Sequence, residues 1–265
     1  MVFKCFWNTS IDECELTTKT MANQTVLVTG GAKRIGKAIV EHFSQNGYSV
    51  LIHVSSSLEE GNQLAEQLRA SGAKADVIQA DLTDERATEA LVELVENHPF
   101  IKQRDGLDVL VHNASKYSQI PIEDLTVEDM RIMNRLHVES PLQLTQGLAL
   151  CLSSIEGSVI ALTDTSEGQH WEKLTHYTAS KAGLRQLMLG LAGELAPQVR
   201  VNCVGPGAIL SADWEQEHFD NVLQRVPLRR SGTPADIASA VFFLANASYI
   251  TGQELKVDGG WTLSP

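Results

Sequence analysis

Tyr177 and Lys181 lie four residues apart in the stretch YTASK, and this spacing places both side chains on one face of a predicted helix. A free tyrosine hydroxyl titrates near a pKa of about 10. An ammonium beside it favours the phenolate and lowers that pKa towards neutrality. The pair could therefore act as a general acid and base. A surface tyrosine beside a solvated lysine is the structural alternative.

A second candidate is the glycine-rich stretch TGGAKRIG at residues 29–36, which follows the apolar run TVLV at 25–28. Glycines let a backbone approach a pyrophosphate closely, and the helix that follows would offer unpaired N–H groups and a positive dipole end. The spacing differs from the G-x-G-x-x-G fingerprint. A tight turn without a ligand is about as compatible with the loop taken alone.

The end of the second predicted strand indicates which cofactor such a loop would bind. Proteins that prefer NAD place an acid there, which accepts hydrogen bonds from the ribose 2′-hydroxyl. Here the segment reads IHVSSS, and no acid occurs before Glu59. The serines at 55–57 can donate hydrogen bonds to a 2′-phosphate, or one of them could cap the next helix. Lys33 or Arg34 could neutralise the phosphate, so the pattern favours NADPH.

These motifs and several others occur in the order and spacing of the short-chain dehydrogenase/reductase family, which the chain resembles over residues 24–263. The further motifs are ADL at 80–82, HNAS at 112–115, VGPG at 204–207 and YITGQELKVDGGW at 249–261. The resemblance implies an oxidoreductase in which Tyr177 and Lys181 carry the chemistry. It also implies an NADPH site formed by Gly30, Lys33, Arg34, Ile35, Gly36, Ser55, Ser56, Ser57, Asp81, Leu82, Asn113, Ala114, Ser115, Tyr177, Lys181, Pro206 and Gly207.

The resemblance gives specific roles to two of these residues, Asp81 and Asn113. Asp81 resembles the carboxylate that accepts a hydrogen bond from the adenine amino group. It could instead cap the following helix, although Thr83 or Asp84 suits that position better. Asn113 resembles the asparagine that braces the sheet beside the adenosine.

Asp164 stands thirteen residues before the tyrosine, where the family generally has a serine that hydrogen-bonds a carbonyl substrate. A carboxylate accepts hydrogen bonds and repels a developing oxyanion, so it is unsuited to polarising a ketone. It suits a substrate that presents N–H donors or needs a proton on a ring nitrogen. In this respect the chain resembles the pteridine reductase branch, including bacterial dihydromonapterin reductases.

That resemblance implies NADPH-dependent hydride transfer to a C=N bond of a dihydropterin, with Asp164, Tyr177 and Lys181 as catalytic residues. The implied substrate site consists of Arg34, Ser115, Tyr117, Asp164 and Tyr177, in which Tyr117 stacks on the pterin and Arg34 faces both pyrophosphate and pterin. Two alternatives remain open: a carbonyl reductase of the same family acting on a 3-oxoacyl chain or a sugar, and a non-catalytic NADP-binding protein.

Some residues allow two interpretations. His137 stands where many family members have an asparagine that maintains a water relay to the lysine, and it could equally be a packed, hydrogen-bonded core histidine. Trp214 and Phe219 lie in the segment 211–230, where the family keeps a substrate lid, and could line the pocket or pack in a small helix. His112, Cys151 and Cys203 are interpreted as packed residues.

The elements that must position these residues alternate from residue 25 onward as short β-branched runs and helical patterns. Strand followed by helix implies right-handed crossovers, and near-continuous apolar strands imply burial on both faces. We expect an α/β fold, a single Rossmann-type domain over 23–265 with a doubly wound parallel seven-stranded sheet and helices on both faces. The predicted strands are 25–28, 48–54, 75–81, 107–114, 157–164, 199–207 and 253–260.

Composition limits the remaining options. The 265 residues carry a formal net charge of −12, which argues against a general affinity for nucleic acid or anionic membrane. Four cysteines without a C-x-x-C pair or neighbouring histidines predict no metal site and indicate a reducing, cytoplasmic compartment. Residues 1–22 are expected to be a disordered N-terminal extension, with Met21 as an alternative start. The family resemblance implies a homotetramer.

Overall fold

The structure is a computed structural model that describes residues 24–165, 170–211 and 216–263. The N-terminal extension expected at 1–22 and the candidate lid residue Trp214 lie outside the described residues. In the described ranges the strands are β1 Thr25–Val28, β2 Ser49–Val54, β3 Ala75–Gln79, β4 Val109–His112, β5 Ser158–Leu162, β6 Arg200–Pro206 and β7 Glu254–Val257.

These strands pair in parallel as one sheet in the order β3-β2-β1-β4-β5-β6-β7. Every residue of β1, β2, β4 and β5 is buried, as continuous runs of valine, leucine and isoleucine require when both faces of a sheet are covered. The chain runs outward from β1 to β3 on one side and from β4 to β7 on the other. This is the doubly wound topology that the sequence predicts.

Helices cover both faces of the sheet. In the described ranges they are α1 Arg34–Gln45, α2 Leu58–Ala70, α3 Glu85–Glu96, α4 Pro99–Arg104, α5 Val127–Asn134, α6 Ser140–Gly147, α7 Ala149–Ser153, α8 Thr175–Glu194, α9 Gln216–Arg225 and α10 Pro234–Asn246. One apolar core joins the sheet to α1, α2 and α10, and a second joins the opposite face to α3, α6 and α8.

β1 and β2 end at the predicted residues, whereas β3 to β7 end earlier than predicted. At β4 and β7 the reason is that polar groups capture the backbone and form turns. The prediction for β4 extends to residue 114, but the backbone N–H groups of Asn113 and Ala114 donate to Thr29 Oγ1 at 2.9 and 3.0 Å. The prediction for β7 extends to residue 260, but the Asp258 carboxylate accepts from the N–H of Gly260 at 2.9 Å and closes a turn.

Two features of this fold position the site. The strand order reverses beside β1, so the carboxyl ends of β1 and β4 bound a crevice, which is where ligands bind in open α/β sheets. Between α5 and α6 the chain continues as a π-helical turn, Arg135–Glu139, which packs His137 against α8. Among the described helices, none combines the length and apolar character that crossing a membrane requires.

Candidate active site

Tyr177 and Asp164 form a hydrogen-bonded pair at the carboxyl edge of the sheet. Asp164 follows β5, and Tyr177 lies in the first turn of α8. The Tyr177 hydroxyl donates to Asp164 Oδ2 at 2.8 Å. Because a carboxylate can only accept, the phenolic proton lies between the two oxygen atoms. The arrangement holds one proton on Tyr177 beside a carboxylate, which can relay a proton from solvent once the tyrosine has given its own away.

Lys181 lies one turn further along α8 and is buried. Its Nζ donates to the carbonyl oxygen of Leu162 at 2.8 Å and lies 5.7 Å from the centre of the Tyr177 ring. Burial lowers the pKa of Lys181 to about 8, against the opposing effect of the Asp164 carboxylate. The ammonium is thus held beside the phenol by a backbone carbonyl, as the i, i+4 spacing predicts for a shared helix face.

The glycine loop joins β1 to α1 and leaves no room for a side chain at Gly30 or Gly36. Gly30 has a positive φ of +63°, and a Cβ on Gly36 would lie 2.1 Å from the Gly30 carbonyl oxygen. Beneath the loop, the Gly30 N–H donates to His53 Nδ1 at 3.2 Å, and His53 Nε2 contacts the Ala80 carbonyl at 3.1 Å. Burial lowers the pKa of His53 to about 4, so a neutral imidazole supports the loop.

His53 is a residue that the sequence interpretation missed, as is Thr29. The Thr29 hydroxyl donates to the Val111 carbonyl at 3.2 Å and accepts the two N–H groups that follow β4. Asn113 Nδ2 donates to the carbonyl oxygens of Thr29 and Gly30 at 2.9 and 3.0 Å, which is the bracing contact expected of it. A polar side chain inside the apolar run IHV is the signal that could have drawn attention to His53.

Two cavities open along this edge of the sheet. The first has a volume of about 480 Å³ and contains the catalytic candidates; the second has a volume of about 350 Å³ and lies beyond β2. They share the wall formed by Gly30, Lys33, Ala114 and Ser115. Each residue of the predicted site lines one or both. The first cavity contains Arg34, Ile35, Gly36, Asn113, Tyr117, Asp164, Tyr177, Lys181, Pro206 and Gly207, and the second contains Ser55, Ser56, Ser57, Asp81 and Leu82.

The two cations of the loop have separate partners. Lys33 forms an exposed ion pair with Glu60, with Nζ and Oε1 2.5 Å apart. Arg34 adopts a positive φ of 52° and donates to the carbonyl oxygen of Leu210 at 3.2 Å, so it crosses to the segment after β6. Lys33 lines both cavities and shares the second with the serines, whereas Arg34 lines the first.

The hydrogen bonds show which of the candidate residues cap α2 and α3. Asp84 caps α3 by accepting from the Ala87 N–H at 3.0 Å, as expected. Asp81 instead accepts from the N–H and hydroxyl of Thr83, at 2.9 and 2.8 Å, and these bonds lower its pKa. Within the described part of the chain, the Ser57 side chain makes no capping hydrogen bond to α2.

The outer part of the first cavity is aromatic. Tyr117 meets the Tyr177 ring edge to face, with centroids 5.0 Å apart and planes at 78°. Trp171, Trp261 and Phe219 line the same cavity, and the two indoles were not predicted to do so. Of the two alternatives given for Phe219, the structure therefore shows the one in which it lines the pocket.

His137 is buried and hydrogen-bonded, as one of its two interpretations expected. Its Nε2 lies 3.0 Å from Ser115 Oγ and its Nδ1 lies 2.8 Å from Ser180 Oγ. His112 and Cys203 are buried as predicted, and Cys151 is only partly buried. Over the described residues, no group of three or more histidine, cysteine or acidic side chains is arranged to hold a metal ion.

Comparison with known proteins identifies the class to which this fold and site belong. A family model described as enoyl-(acyl carrier protein) reductase matches residues 30–262. The chain belongs to the short-chain dehydrogenase/reductase family and is an oxidoreductase.

Individual relatives carry different names. The chain is 32% identical over 249 residues to the oxidoreductase YmfI of Bacillus subtilis, covering 90% of this chain and 99% of that protein. It is 32% identical over 254 residues to the 3-oxoacyl-(acyl-carrier-protein) reductase FabG of Staphylococcus aureus, covering 89% and 97%. A crystal structure of FolM alternative dihydrofolate reductase 1 from Brucella canis, complexed with NADP, matches with a TM-score of 0.82 and 32% identity, covering 92% and 96%.

Proposed function

We propose that this protein is an NADPH-dependent pteridine reductase that reduces a C=N bond of a dihydropterin to the tetrahydro form. The observation that carries the proposal is the Asp164 carboxylate bonded to the Tyr177 hydroxyl inside the larger cavity. The likeness to the NADP complex of FolM alternative dihydrofolate reductase 1 supports it.

NADPH is the cofactor that the loop and the second cavity fit. A Cβ at Gly36 would fill the space beside the Gly30 carbonyl, so the loop keeps its backbone open at the N-terminus of α1. The second cavity brings Lys33 together with the serines at 55–57, which can donate to a 2′-phosphate, and no acid follows β2 directly. When bound, NADPH supplies the hydride that adds to the carbon of the C=N bond.

The chain itself supplies the proton that the ring nitrogen must gain. Tyr177 holds a proton that is shared with Asp164, and a ring nitrogen placed near the hydroxyl can accept it. The remaining pair carries one more negative charge, which the Lys181 ammonium stabilises and which a proton from solvent neutralises. Addition of one hydride and one proton balances the reduction.

The walls of the larger cavity suit a flat, heteroaromatic substrate. Tyr117 presents an aromatic ring beside Tyr177, and it is placed to pack against a pterin. Arg34 lies between the loop and Leu210, where its guanidinium is available to face both a pyrophosphate and a pterin carbonyl. Ser115 adds a hydroxyl at the junction of the two cavities.

A carbonyl reductase is the second candidate, and the relationship to the ketoacyl reductase FabG favours it. Such an enzyme would need a donor for the substrate oxygen. Tyr177 can provide one, but the carboxylate of Asp164 would lie next to the developing oxyanion and repel it. This repulsion is the physical reason for preferring the pterin.

The test is NADPH consumption measured in parallel with dihydromonapterin, dihydrobiopterin, dihydrofolate, a 3-oxoacyl thioester and a sugar. We expect consumption with a dihydropterin and at least a hundredfold loss of kcat/KM in Asp164→Ser and Asp164→Asn, in line with loss of a group that takes part in general acid–base catalysis. Asp124→Ser, which removes an exposed carboxylate outside both cavities, serves as the matched control. Turnover of the thioester alone, or retained pterin turnover in Asp164→Ser, would overturn the proposal. Absence of turnover with any substrate would favour a non-catalytic NADP-binding protein.

We further propose that residues 23–265 form a single cytoplasmic domain that assembles as a homotetramer. Exposed apolar side chains on three elements support assembly: Leu189 on α8, Phe243 on α10 and Leu255 on β7 are 48%, 54% and 37% exposed. Gly193 on α8 leaves open space above the helix, which allows another helix to approach closely. Light scattering after size-exclusion chromatography tests this, and a monomeric mass would refute it.

A further inference from the structure

A chain of hydrogen bonds links the cavity wall to the interior of α8 through His137. Ser115 lines both cavities, and its Oγ lies 3.0 Å from His137 Nε2. On the other side of the ring, His137 Nδ1 lies 2.8 Å from Ser180 Oγ, and the Ser180 hydroxyl donates to the Tyr177 carbonyl at 2.7 Å. Four polar groups therefore share three short contacts, and their protons must be arranged without a clash.

The arrangement is determined from its buried end. The Tyr177 carbonyl can only accept, so the single hydroxyl proton of Ser180 must lie in that 2.7 Å contact. The oxygen of Ser180 can then only accept from His137, so Nδ1 carries a proton. If it did not, two lone pairs would face one another at 2.8 Å in a buried position.

Whether His137 Nε2 also carries a proton depends on the charge of the ring. His137 is 1% exposed, and burial lowers its pKa well below the ordinary value, with further effects from Lys181 and His176. A neutral ring protonated at Nδ1 leaves Nε2 as an acceptor. The Ser115 hydroxyl therefore donates to Nε2, and its lone pairs are directed elsewhere.

We propose that His137 is a positioning residue: it holds the Ser115 proton away from the cavity, so that Ser115 and Asp164 both present acceptors to the ligand. The Tyr177 proton is likewise committed to Asp164. Two acceptors on the wall of one cavity select ring ligands that carry N–H donors over ligands of the same shape that lack them. The inference rests on the proposed function for the ligand class, but the state of His137 does not depend on it.

The first test is the tautomer of His137 in the intact protein bound to NADP⁺. Histidine labelled with ¹⁵N and long-range ¹H–¹⁵N correlation spectra distinguish the two neutral forms from the imidazolium. We expect the Nδ1–H form for His137. His53 serves as an internal reference for the other tautomer, Nε2–H, because its Nδ1 accepts from Gly30 N–H and its Nε2 donates to the Ala80 carbonyl. Difference spectra with His137→Gln and His53→Gln assign the signals.

The observed tautomer and the effect of removing the Ser115 hydroxyl both decide the proposal. An Nε2–H form or an imidazolium at neutral pH would overturn it, because Ser115 would then accept from the ring and turn its proton to the cavity. In Ser115→Ala the Nε2 resonance of His137 is expected to shift, since it loses its donor. An unchanged resonance would contradict the assigned donor.

The second test measures selection for donors. Dissociation constants are compared for a 2-amino-pteridine and the same ring with a methyl group in place of the amino group. In His137→Asn the amide reaches Ser180 but is too short to reach Ser115, and the preference for the amino compound is expected to fall about three- to tenfold. His137→Gln places an amide oxygen near the Nε2 position and is expected to restore the preference.

Ser115→Ala should lose the preference to the same extent, and His137→Asn should add nothing to it. Equal weakening of both ligands in His137→Asn, or additive losses in the double variant, would indicate a purely structural role and overturn the proposal. If neither pteridine binds, the proposed function fails, while the spectra still decide the state of His137.

Discussion

Replacing Lys181 by methionine is expected to change the pH dependence of folding stability in a defined direction. Burial lowers the pKa of Lys181 from 10.5 to about 8. The folded protein therefore loses this proton at lower pH than the unfolded chain does. The destabilisation from burying the ammonium is complete below about pH 8 and is relieved as the pH rises towards 10.5.

The magnitude follows from the two pKa values. Linkage gives a destabilisation of about 3 kcal/mol at pH 7 and about 1 kcal/mol at pH 9.5 for a lysine with these folded and unfolded values. Methionine fills a similar volume without a charge and does not titrate. The stability of Lys181→Met relative to the unaltered protein should therefore be about 2 kcal/mol more favourable at pH 7 than at pH 9.5.

Urea denaturation of both proteins at pH 7 and pH 9.5, at one protein concentration, measures this difference and cancels the other titrating groups. Lys102→Met, which replaces an exposed lysine on α4, is the control and should give the same relative stability at both pH values. A relative stability of Lys181→Met that does not change with pH would refute the reasoning. NADPH oxidation by Lys181→Met should be lost in either case.

Three further substitutions test the loop. Glu60→Gln frees Lys33 from its ion pair, and the KM for NADPH, but not that for NADH, is expected to fall about two- to fivefold in steady-state assays. Arg34→Ala removes the guanidinium proposed to serve both ligands, so the dissociation constants of NADPH and of the pterin should each rise about tenfold or more in fluorescence titrations. Gly36→Ala brings a methyl group 2.1 Å from the Gly30 carbonyl oxygen, and the displaced loop should bind NADPH at least tenfold more weakly by the same titration.

Each of these variants has a matched control. Glu59→Gln neutralises the neighbouring acid, and an equal gain in NADPH affinity there would assign the effect to net charge alone. Arg131→Ala removes an exposed arginine on α5, and if it weakens both ligands as Arg34→Ala does, Arg34 has no specific role. Gly190→Ala adds a methyl group where nothing lies within 4 Å, so it should leave NADPH binding intact. Unimpaired binding in Gly36→Ala would show that the loop tolerates a side chain.

The sequence predicts the sheet and the main site residues because both depend on local patterns. Apolar runs specify the buried strands, and the residues directly after β1, β4, β5 and β6 meet at one edge of any parallel sheet. The spacing of Tyr177 and Lys181 is likewise set by one helix, and Asp164 could be compared with them because it occupies a fixed place in a motif.

Contacts between distant segments could not be predicted in this way. His53 contacts Gly30, 23 residues earlier in the chain, and its role depends on how the loop lies over β2. His137 meets Ser180 across 43 residues, and only the packing of the π-helical turn on α8 decides that it is buried. The lengths of the strands also depended on polar side chains that capture backbone groups at their ends.

The Thr29 hydroxyl has a consequence for how such a site can acquire new substrates. Three hydrogen bonds converge on this one group, so serine could replace it, whereas valine would keep its shape and lose all three. The residues that support the cofactor loop from below therefore tolerate few substitutions. The larger cavity is also lined by Asp164, Trp171 and Leu210, which lie in segments beyond the strand ends. Substitutions there change the cavity without breaking the hydrogen bonds of Thr29. The cofactor site can thus stay the same while the residues that face the substrate change in sequence.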